Sequence, residues 1–399
     1  MKNTTKVLKE ANKYLVMQCI TFHQPITIED IMKITSVSRP TVLEVVKELM
    51  AGGYIIKKGQ SRTTGGRPAE LIALNGESSY AIGIDLEFPT VRIVCTNAAR
   101  EIKTQACMKY DMEANAKEVL ERLMDEVSGV IDTAQINVEN IAGIGIGLPG
   151  NIDERSGISI HIERIKEWKN INIKEMFEEK FQVPVYVKND VHFLALAERE
   201  QYISKEIQDF IYIGLRSGIG GAIFYHGKEL DGRKGNAGFI GHTTVNPYGP
   251  RCTCGKCGCL DAFSSEIAMN REYSAKMKAE SQKGKENFWP VKQFVERAEA
   301  GEEVCREILE QSGFYIGIAI ANMIKTLEIT TVVIGGCTQI EDSDFFKKIV
   351  GTVKDYLIEE YETEIDIRVG SLKEEEYPIG ACCYVLDHIF EKPKLSLKI

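Results

Sequence analysis

The pattern of apolar and polar residues along the first 75 positions predicts a small helical module. Apolar residues recur at helical spacing from Leu8 to Phe22, which predicts one amphipathic helix. A second helix is expected from Thr27, because Thr-Ile-Glu-Asp supplies an N-cap and acidic residues for the first turn. A third is expected to be capped by Ser38 and to end at Gly52. This order predicts a helix-turn-helix, in which the second helix of the pair presents its first residues to the major groove. The expected DNA contacts of that helix are Ser38, Arg39, Pro40 and Thr41.

Two alternating segments, 54–58 and 70–74, follow this module and predict a β-hairpin. The stretch between them is basic and rich in glycine, as expected for a wing whose tip enters the minor groove of A·T-rich DNA. The expected contacts at the tip are Arg62, Gly66, Arg67 and Pro68. A helical docking subdomain with a solvated loop is the alternative interpretation.

Strand and helix patterns alternate through the rest of the chain and predict two α/β lobes. Three apolar strands between residues 80 and 110 are followed by alternating helices and strands up to residue 201. A second cycle begins at Asp209 and contains long helices near 262–281 and 302–327 and a terminal helix near 378–390. Two similar lobes with facing loops indicate an actin-like or hexokinase-like ATPase-type fold. The expected domains are a winged helix-turn-helix at 1–75, a first lobe at 76–203 and a second lobe at 204–399.

The distribution of charge also separates residues 1–75 from the rest of the chain. Residues 1–75 hold 11 Lys and Arg against 6 Asp and Glu, whereas the whole chain has a net charge of −9. A basic end on an acidic body indicates a nucleic-acid-binding module attached to a domain with another task. No run approaches the roughly 20 apolar residues that span a bilayer, so we expect a cytoplasmic protein with no membrane partner.

Four cysteines within eight positions, preceded by a histidine, predict a structural zinc site. The expected ligands are His242, Cys252, Cys254 and Cys259, because the glycine turn in Cys-x-Cys-Gly-x-x-Gly-Cys lets these sulfurs converge. Cys257 is then surplus or an alternative ligand. Disulfides or free thiols are the alternative interpretation. The other seven cysteines lie in apolar stretches and are expected to be small buried side chains.

Taken together, these motifs resemble the family of repressors, open reading frames and sugar kinases known as ROK. The resemblance covers essentially the whole chain. Its motifs are Gly-His followed by Cys-x-Cys-Gly-x-x-Gly-Cys at 241–259, Pro-Gly-Asn-Ile-Asp at 149–153, Trp168 with Asn170, Val-Lys-Asn-Asp at 187–190, Ser-Gly-Ile-Gly-Gly at 217–221 and Ile-Gly-Gly at 334–336. The N-terminal wing makes the chain look like the repressor branch, similar to the regulators of xylose, N-acetylglucosamine and glucose systems.

The resemblance implies a sugar site between the lobes. In the family's kinases the position of Asp190 is the general base and Asn189 hydrogen-bonds the sugar, although Asn-Asp at a strand end is also a common helix N-cap. The ligand-binding residues expected here are Gly150, Asn151, Asn189, Asp190, Phe239, His242 and Asp261.

Two departures from the kinase pattern argue against catalysis. The phosphate loop Asp-x-Gly-Gly-Thr is replaced by residues 85–90, Asp-Leu-Glu-Phe-Pro-Thr, and both glycines are lost. Phe239 stands where relatives carry a sugar-binding glutamate, and it cannot accept hydrogen bonds from hydroxyls. Asp190 is therefore expected to be a vestigial base position, with no catalytic residue in the chain.

These observations lead to one expected function. The chain is expected to be a non-enzymatic regulator of carbohydrate-metabolism genes, a repressor relieved by a sugar or sugar derivative in the cleft. Its expected partners are a palindromic DNA operator with A·T-rich flanks, the sugar effector, and further copies of itself in a homodimer or dimer of dimers. Two alternatives stay open: an ATP-dependent sugar kinase with an appended DNA-binding domain, and a regulator that has lost sugar sensing and answers a protein or redox signal through Cys257.

Overall fold

The computed structural model describes residues 2–61, 68–87, 89–111, 113–162, 164–204, 206–235, 237–279, 288–361 and 364–389. Its N-terminal module consists of three helices and a two-stranded hairpin. Their bounds are α1 Lys2–His23, α2 Ile28–Thr35, α3 Arg39–Ala51, β1 Ile55–Gln60 and β2 Glu70–Leu74. The two strands pair antiparallel, and side chains from all five elements share one apolar core. The order of elements expected for the first 75 residues is therefore present.

The caps of the second and third helices differ. Thr27 caps α2 as expected, since its hydroxyl accepts a hydrogen bond from the Asp30 amide at 3.2 Å. Ser38 occupies the N-cap position of α3, but its side chain makes no hydrogen bond to the helix backbone. Its hydroxyl lies 2.9 Å from that of Thr41 instead. Ser38 is therefore the N-cap residue by position, as expected, but its hydroxyl contacts Thr41 and does not cap the helix backbone.

The first lobe is built on a five-stranded sheet. The bounds of its elements are β3 Tyr80–Leu86, β4 Thr90–Asn97, β5 Ile102–Lys109, α4 Ala116–Ala134, β6 Ile141–Leu148, β7 Asn151–Asp153, β8 Ile158–His161, β9 Lys169–Asn172, α5 Ile173–Phe181, β10 Val185–Asn189 and α6 Asp190–Gln201. The sheet order is β5-β4-β3-β6-β10, with β7, β8 and β9 forming a small separate sheet. Strands β3 to β5 form an antiparallel meander, and β6 and β10 run parallel to β3.

The second lobe repeats this topology. The bounds of its elements are β11 Phe210–Leu215, β12 Ile219–Tyr225, β13 Lys228–Glu229, α7 Asp261–Ser264, α8 Glu266–Ala279, α9 Val291–Glu299, α10 Glu303–Leu327, β14 Thr331–Gly335, α11 Asp344–Tyr356, β15 Asp366–Val369 and α12 Ile379–Asp387. Its sheet order is β13-β12-β11-β14-β15, again a meander followed by two parallel strands. The expected pair of similar α/β lobes is present.

Two helices join the lobes. Helix α6 packs between the two sheets, with Leu194 and Ala195 in one cluster with Tyr212 and Phe224 of the second sheet. Burial on several sides explains its apolar run at residues 191–197, which only His192 interrupts. Helix α12 comes from the end of the chain but packs on the first sheet, against β3 and β6. The expected second domain at 204–399 therefore gives its last helix to the first lobe.

Other elements depart from the expected pattern in detail. The helix expected near 262–281 is divided into α7 and α8 at Ser265. Helix α9 and the small sheet of β7 to β9 were not expected, because their segments are too short and polar for periodicity to reveal them. Among the described residues, no helix combines the length and the apolar character needed to cross a membrane.

Candidate functional site

The carboxyl ends of strands from both sheets meet between the lobes, in the region of Arg216, Asp85 and Asp190 that we call the cleft. Strands β6 and β10 of the first sheet end at Leu148 and Asn189, and β11 of the second ends at Leu215. The loops that follow these strands carry most of the expected ligand residues. Strand ends of this kind are where open α/β sheets bind their ligands.

A glycine loop forms one side of the cleft. Gly150 has a φ of +85°, and a Cβ at this position would lie 2.5 Å from the carbonyl oxygen of His161. The Asn189 side chain donates to the Gly150 carbonyl at 3.1 Å and accepts from the Val191 amide at 3.3 Å. Asn189 therefore caps α6 and fixes the glycine loop, while Asn151 beside it is exposed. Asn189 therefore has the helix-capping role that was the alternative to a sugar-binding role.

A buried arginine occupies the centre of the cleft, where the kinase phosphate loop is lost. Arg216, directly after β11, donates from Nη1 and Nη2 to the two carboxylate oxygens of Asp85 at 2.9 and 2.7 Å. Its Nε lies 2.7 Å from Glu87, and Nη1 also reaches Asp190 at 3.2 Å. The Arg216 side chain is 7 % exposed and that of Asp85 is 4 % exposed. Each guanidinium nitrogen thus contacts a carboxylate, and the cation ties the second lobe to the first.

Negative charge dominates this cluster. Burial raises the pKa of Asp190 to about 7; Arg216 opposes this shift, whereas Glu87 and Asp85 add to it. Burial raises the pKa of Glu266 to about 8, with a further contribution from the negative charge of Glu87. Arg92 lies 3.5 Å from Asp85 but also pairs with Glu374 at the rim. The arginines therefore do not balance the carboxylates around them.

The opposite side of the cleft contains a cluster of four metal-ligand side chains. The potential ligand atoms of His242, Cys252, Cys254 and Cys259 all lie within 4.8 Å of one another. The His242 Nδ1 to Cys252 Sγ distance is 3.6 Å, and the Cys254 and Cys259 sulfurs are also 3.6 Å apart. The turn between them is tight, because Gly258 has a φ of +76° and its Cβ would collide with the Asn246 carbonyl at 1.7 Å.

This donor set fits a tetrahedral zinc ion. With Zn–S bonds of about 2.3 Å, sulfurs at tetrahedral corners lie about 3.8 Å apart. The observed separations approach that value, and three thiols with one imidazole suit Zn²⁺ better than a hard cation. Cys257 is exposed and lies outside the cluster, which agrees with its being surplus. All eleven cysteines are free, so the disulfide interpretation is wrong; Cys107 is exposed, contrary to expectation.

Phe239, His242 and Asp261 line the cleft beside this cluster. Phe239 is 37 % exposed, and its ring meets the His242 imidazole edge to face with centroids 5.9 Å apart. Asp261 accepts a hydrogen bond from the Ile219 amide at 2.8 Å, which commits one carboxylate oxygen to the β11–β12 turn. Asp261 therefore fixes this turn, and Phe239 presents an apolar face to the cleft.

Two backbone amides of the turn between β11 and β12 are bound within the protein. The Arg216 amide donates to the Gly218 carbonyl at 3.1 Å, and the Ile219 amide is bound to Asp261. These two amides are therefore not available to an anion or a sugar. In the first lobe the Glu87 amide is also bound, to the Thr90 carbonyl at 2.9 Å.

In the N-terminal module, the first turn of α3 is exposed. Ser38, Arg39 and Pro40 face solvent and Thr41 is half-buried, while Arg39 pairs with Glu29 of α2 at 2.8 Å. Leu43 and Lys47 lie one and two turns further along the same row and are also exposed. Of the expected wing residues, Pro68 is described, whereas Arg62, Gly66 and Arg67 lie outside the described residues.

Sequence patterns did not reveal the Arg216 cluster or the Leu43–Lys47 row. Arg216 and Asp85 are 131 positions apart, so their pairing leaves no local pattern. Spacing by four from Arg39 was the available signal for Leu43 and Lys47.

Relatives of known name match nearly the whole chain. A xylose repressor of Caldicellulosiruptor bescii is 28 % identical over 398 residues, which cover 98 % of this chain and 99 % of the relative. The DNA-binding transcriptional dual regulator NagC of Escherichia coli is 27 % identical and covers 95 % of this chain, with 93 % of its own length aligned.

Solved structures and a family model agree with this similarity. The chain is similar to a ROK family transcriptional regulator described as a homologue of the E. coli MLC protein, with a TM-score of 0.78 and 23 % identity over 96 % of this chain and 97 % of that one. At this identity the likeness concerns the fold. The model of the ROK family matches residues 81–388, which are most of the chain. The chain belongs to the ROK family.

Proposed function

We propose that this protein is a DNA-binding repressor of carbohydrate-metabolism genes that a sugar or sugar derivative relieves. The observation that carries the proposal is the end-to-end alignment with a xylose repressor, which includes the N-terminal module as well as the two lobes. The exposed first turn of α3 and the basic charge of residues 1–75 support DNA as the partner of this module. The cleft between the lobes is the proposed effector site.

We propose that the chain is not a kinase. Arg216 and Glu87 would occupy the place where a nucleotide phosphate approaches the end of β3, and the backbone amides of these two residues are already bound. Arg216 also holds Asp190 at 3.2 Å, which competes with the role of a general base. A coupled assay with ATP and common sugars is expected to detect no sugar-dependent release of ADP.

Zinc is proposed to be structural. His242, Cys252, Cys254 and Cys259 would hold it and leave no position for water. Bound zinc would supply no catalytic chemistry here. His242 contacts the Phe239 ring, and Asp261 follows Cys259 by two residues, so a closed metal site would restrict the positions of Phe239 and Asp261.

Helix α6 is the proposed route from the cleft to the DNA-binding module. Its first residue, Asp190, lies in the cleft, and Glu200 near its other end pairs with Arg100. Arg100 also pairs with Asp387 of α12 at 2.8 Å, and its guanidinium lies 6.0 Å from the centre of the Phe22 ring in α1. A rigid helix that is linked through Arg100 to the N-terminal module can couple the equilibria of the two sites. Arg100→Ala is expected to retain operator and effector binding but to weaken their coupling.

We also propose a division into domains, an oligomeric state and a cellular location. The module at 1–75, the first lobe at 76–203 and the second lobe at 204–399 are the proposed domains, with α12 returning to the first lobe. A homodimer or dimer of dimers would match a palindromic operator with A·T-rich flanks, since two modules related by a twofold axis read two half-sites. Helix α10 is a candidate for the contact between copies. The proposed location is the cytoplasm.

DNA binding tests the proposal directly. Fluorescence anisotropy with fragments from upstream of the gene is expected to show specific, salt-dependent binding. Replacing Arg39 and Lys47 by Ala is expected to weaken it about 10-fold or more without changing the melting temperature, because both side chains are exposed. Arg122→Ala, an exposed arginine of α4, is the matched control. Binding that neither variant changes would remove α3 from the interface.

A further inference from the structure

The Arg216 cluster consists of Arg216 and the carboxylates of Asp85, Glu87 and Asp190. These contacts affect which ligands the cleft can accept. A single free guanidinium at the end of a ligand cleft attracts phosphate groups. Here Asp85, Glu87 and Asp190 already contact all three guanidinium nitrogens. Ser217 adds a hydrogen bond from its hydroxyl to Glu87, which holds that carboxylate in place.

We propose that the carboxylates of Asp85, Glu87 and Asp190, which contact all three guanidinium nitrogens of Arg216, are the specificity-determining groups that exclude phosphate from the cleft end at Asp190. The inference rests on the proposed function, because it assumes that effectors bind in this cleft. Under it, the effector is an uncharged sugar, and phosphate esters of sugars are rejected together with nucleotides.

The charge balance supports this role. One guanidinium faces three carboxylates, and the next arginine, Arg92, is shared with Glu374. A ligand group within hydrogen-bond distance of Asp190 lies close to Asp85 as well, because both carboxylates contact the same Nη1 atom. A phosphate dianion placed there would face like charges in a site of low dielectric constant. A neutral hydroxyl can donate to Asp190 and adds no negative charge.

Backbone groups give independent support. Phosphate sites in proteins commonly use a row of free amides at a glycine turn or helix N-terminus. The amides of Glu87, Arg216 and Ile219 are bound internally. These three amides are therefore not available as donors that would compensate the charge of a phosphate at this end of the cleft.

Calorimetric titration of the full chain tests the proposal with matched pairs of compounds. The pairs are D-xylose and D-xylose 5-phosphate, D-glucose and D-glucose 6-phosphate, and N-acetyl-D-glucosamine and its 6-phosphate. For any sugar that binds, we expect the phosphate ester to bind at least about 100-fold more weakly. An ester that binds as tightly as its free sugar, or more tightly, would overturn the proposal.

Two variants test whether the Arg216 cluster causes the weaker binding of the phosphate esters. Glu87→Gln removes one negative charge and keeps the shape, so the penalty against the ester is expected to fall by about 10-fold. Glu121→Gln makes the same change at an exposed position of α4 and should leave the penalty unchanged. An equal effect of the two variants would contradict a role for the cluster.

Inorganic phosphate serves as a probe that requires no knowledge of the effector. We expect no saturable binding to the wild-type chain by titration at millimolar phosphate. Saturable binding that Arg216→Met abolishes would show that the guanidinium attracts phosphate, and the proposal would be wrong. Operator binding by the same samples is measured separately, so a failure of the proposed repressor function is distinguishable from a failure of this selectivity.

Discussion

The two sides of the cleft are held in shape by different kinds of interaction. On one side, the segment from His242 to Cys259 has little apolar core of its own and converges on four potential metal ligands. On the other, Arg216 is enclosed by carboxylates of its own chain. With zinc bound as proposed, the first side would depend on an added ion, whereas the second carries its cation permanently. We therefore expect metal removal to alter the first side of the cleft and to leave the charged side intact.

Removing the internal cation should have the largest effect. Arg216→Met leaves Asp85, Glu87 and Asp190 buried together without their partner, so we expect unfolding to become easier by about 3–5 kcal/mol. Denaturant titration measures this loss, with Arg122→Met on the exposed face of α4 as the control. Equal midpoints for the two variants would mean that the cluster is not a structural part of the cleft.

Removing a metal ligand should have the next largest effect. Cys254→Ser deletes one of four converging donors, and we expect loss of bound zinc and a melting temperature lower by about 5 °C or more. Cys107→Ser, at an exposed cysteine far from the cluster in sequence, should change neither quantity. Metal analysis and thermal melting decide the point. Unaltered zinc content and an unaltered melting curve for Cys254→Ser would contradict a structural metal site.

A smaller effect of pH on stability should appear at Glu266, a buried carboxyl group that interacts with Glu87 of the charged side. Glu266 accepts a hydrogen bond from the Val291 amide at 2.9 Å, and burial raises its pKa to about 8 from an ordinary value of 4.5. Its contribution to stability is therefore complete below about pH 4.5 and is lost as pH rises through 8. Glu266→Gln cannot ionise and keeps the acceptor. A displacement of the pKa by one pH unit corresponds to about 1.4 kcal/mol, so the variant should gain more than about 1 kcal/mol over the wild type between pH 5 and 8.5. A pH-independent difference between the two proteins would disprove this assignment.

The two sides also differ in how far the sequence reveals them. The metal ligands lie within 18 residues, and their spacing alone indicated which four side chains converge. The contacts of Arg216 join residues 131 positions apart, and only the crossing of the two sheets brings them together. The absence of glycines at residues 85–90 could be seen in the sequence, but the pairing of Asp85 and Glu87 with Arg216 could not.

The fold follows a similar division. Periodicity predicted the helices of the N-terminal module and the meanders of both sheets, because each has a regular apolar face. It did not predict that α12 returns to the first sheet, since an apolar helix can cover any sheet that lacks a cover. Sequence indicated the N-cap position of Ser38 but not that its hydroxyl would contact Thr41 in place of the helix backbone, because both partners lie within a single turn.

Occupancy of the cleft is proposed to control DNA binding, and one titration measures this coupling. Operator affinity of the full chain is measured by anisotropy with and without a saturating sugar from the calorimetric panel. We expect the sugar to weaken operator binding by about 5- to 150-fold, the usual range of coupling between two sites, and Arg100→Ala to reduce that factor. If no bound sugar changes the operator affinity, sugar in the cleft does not control DNA binding, and a regulator that has lost sugar sensing is favoured.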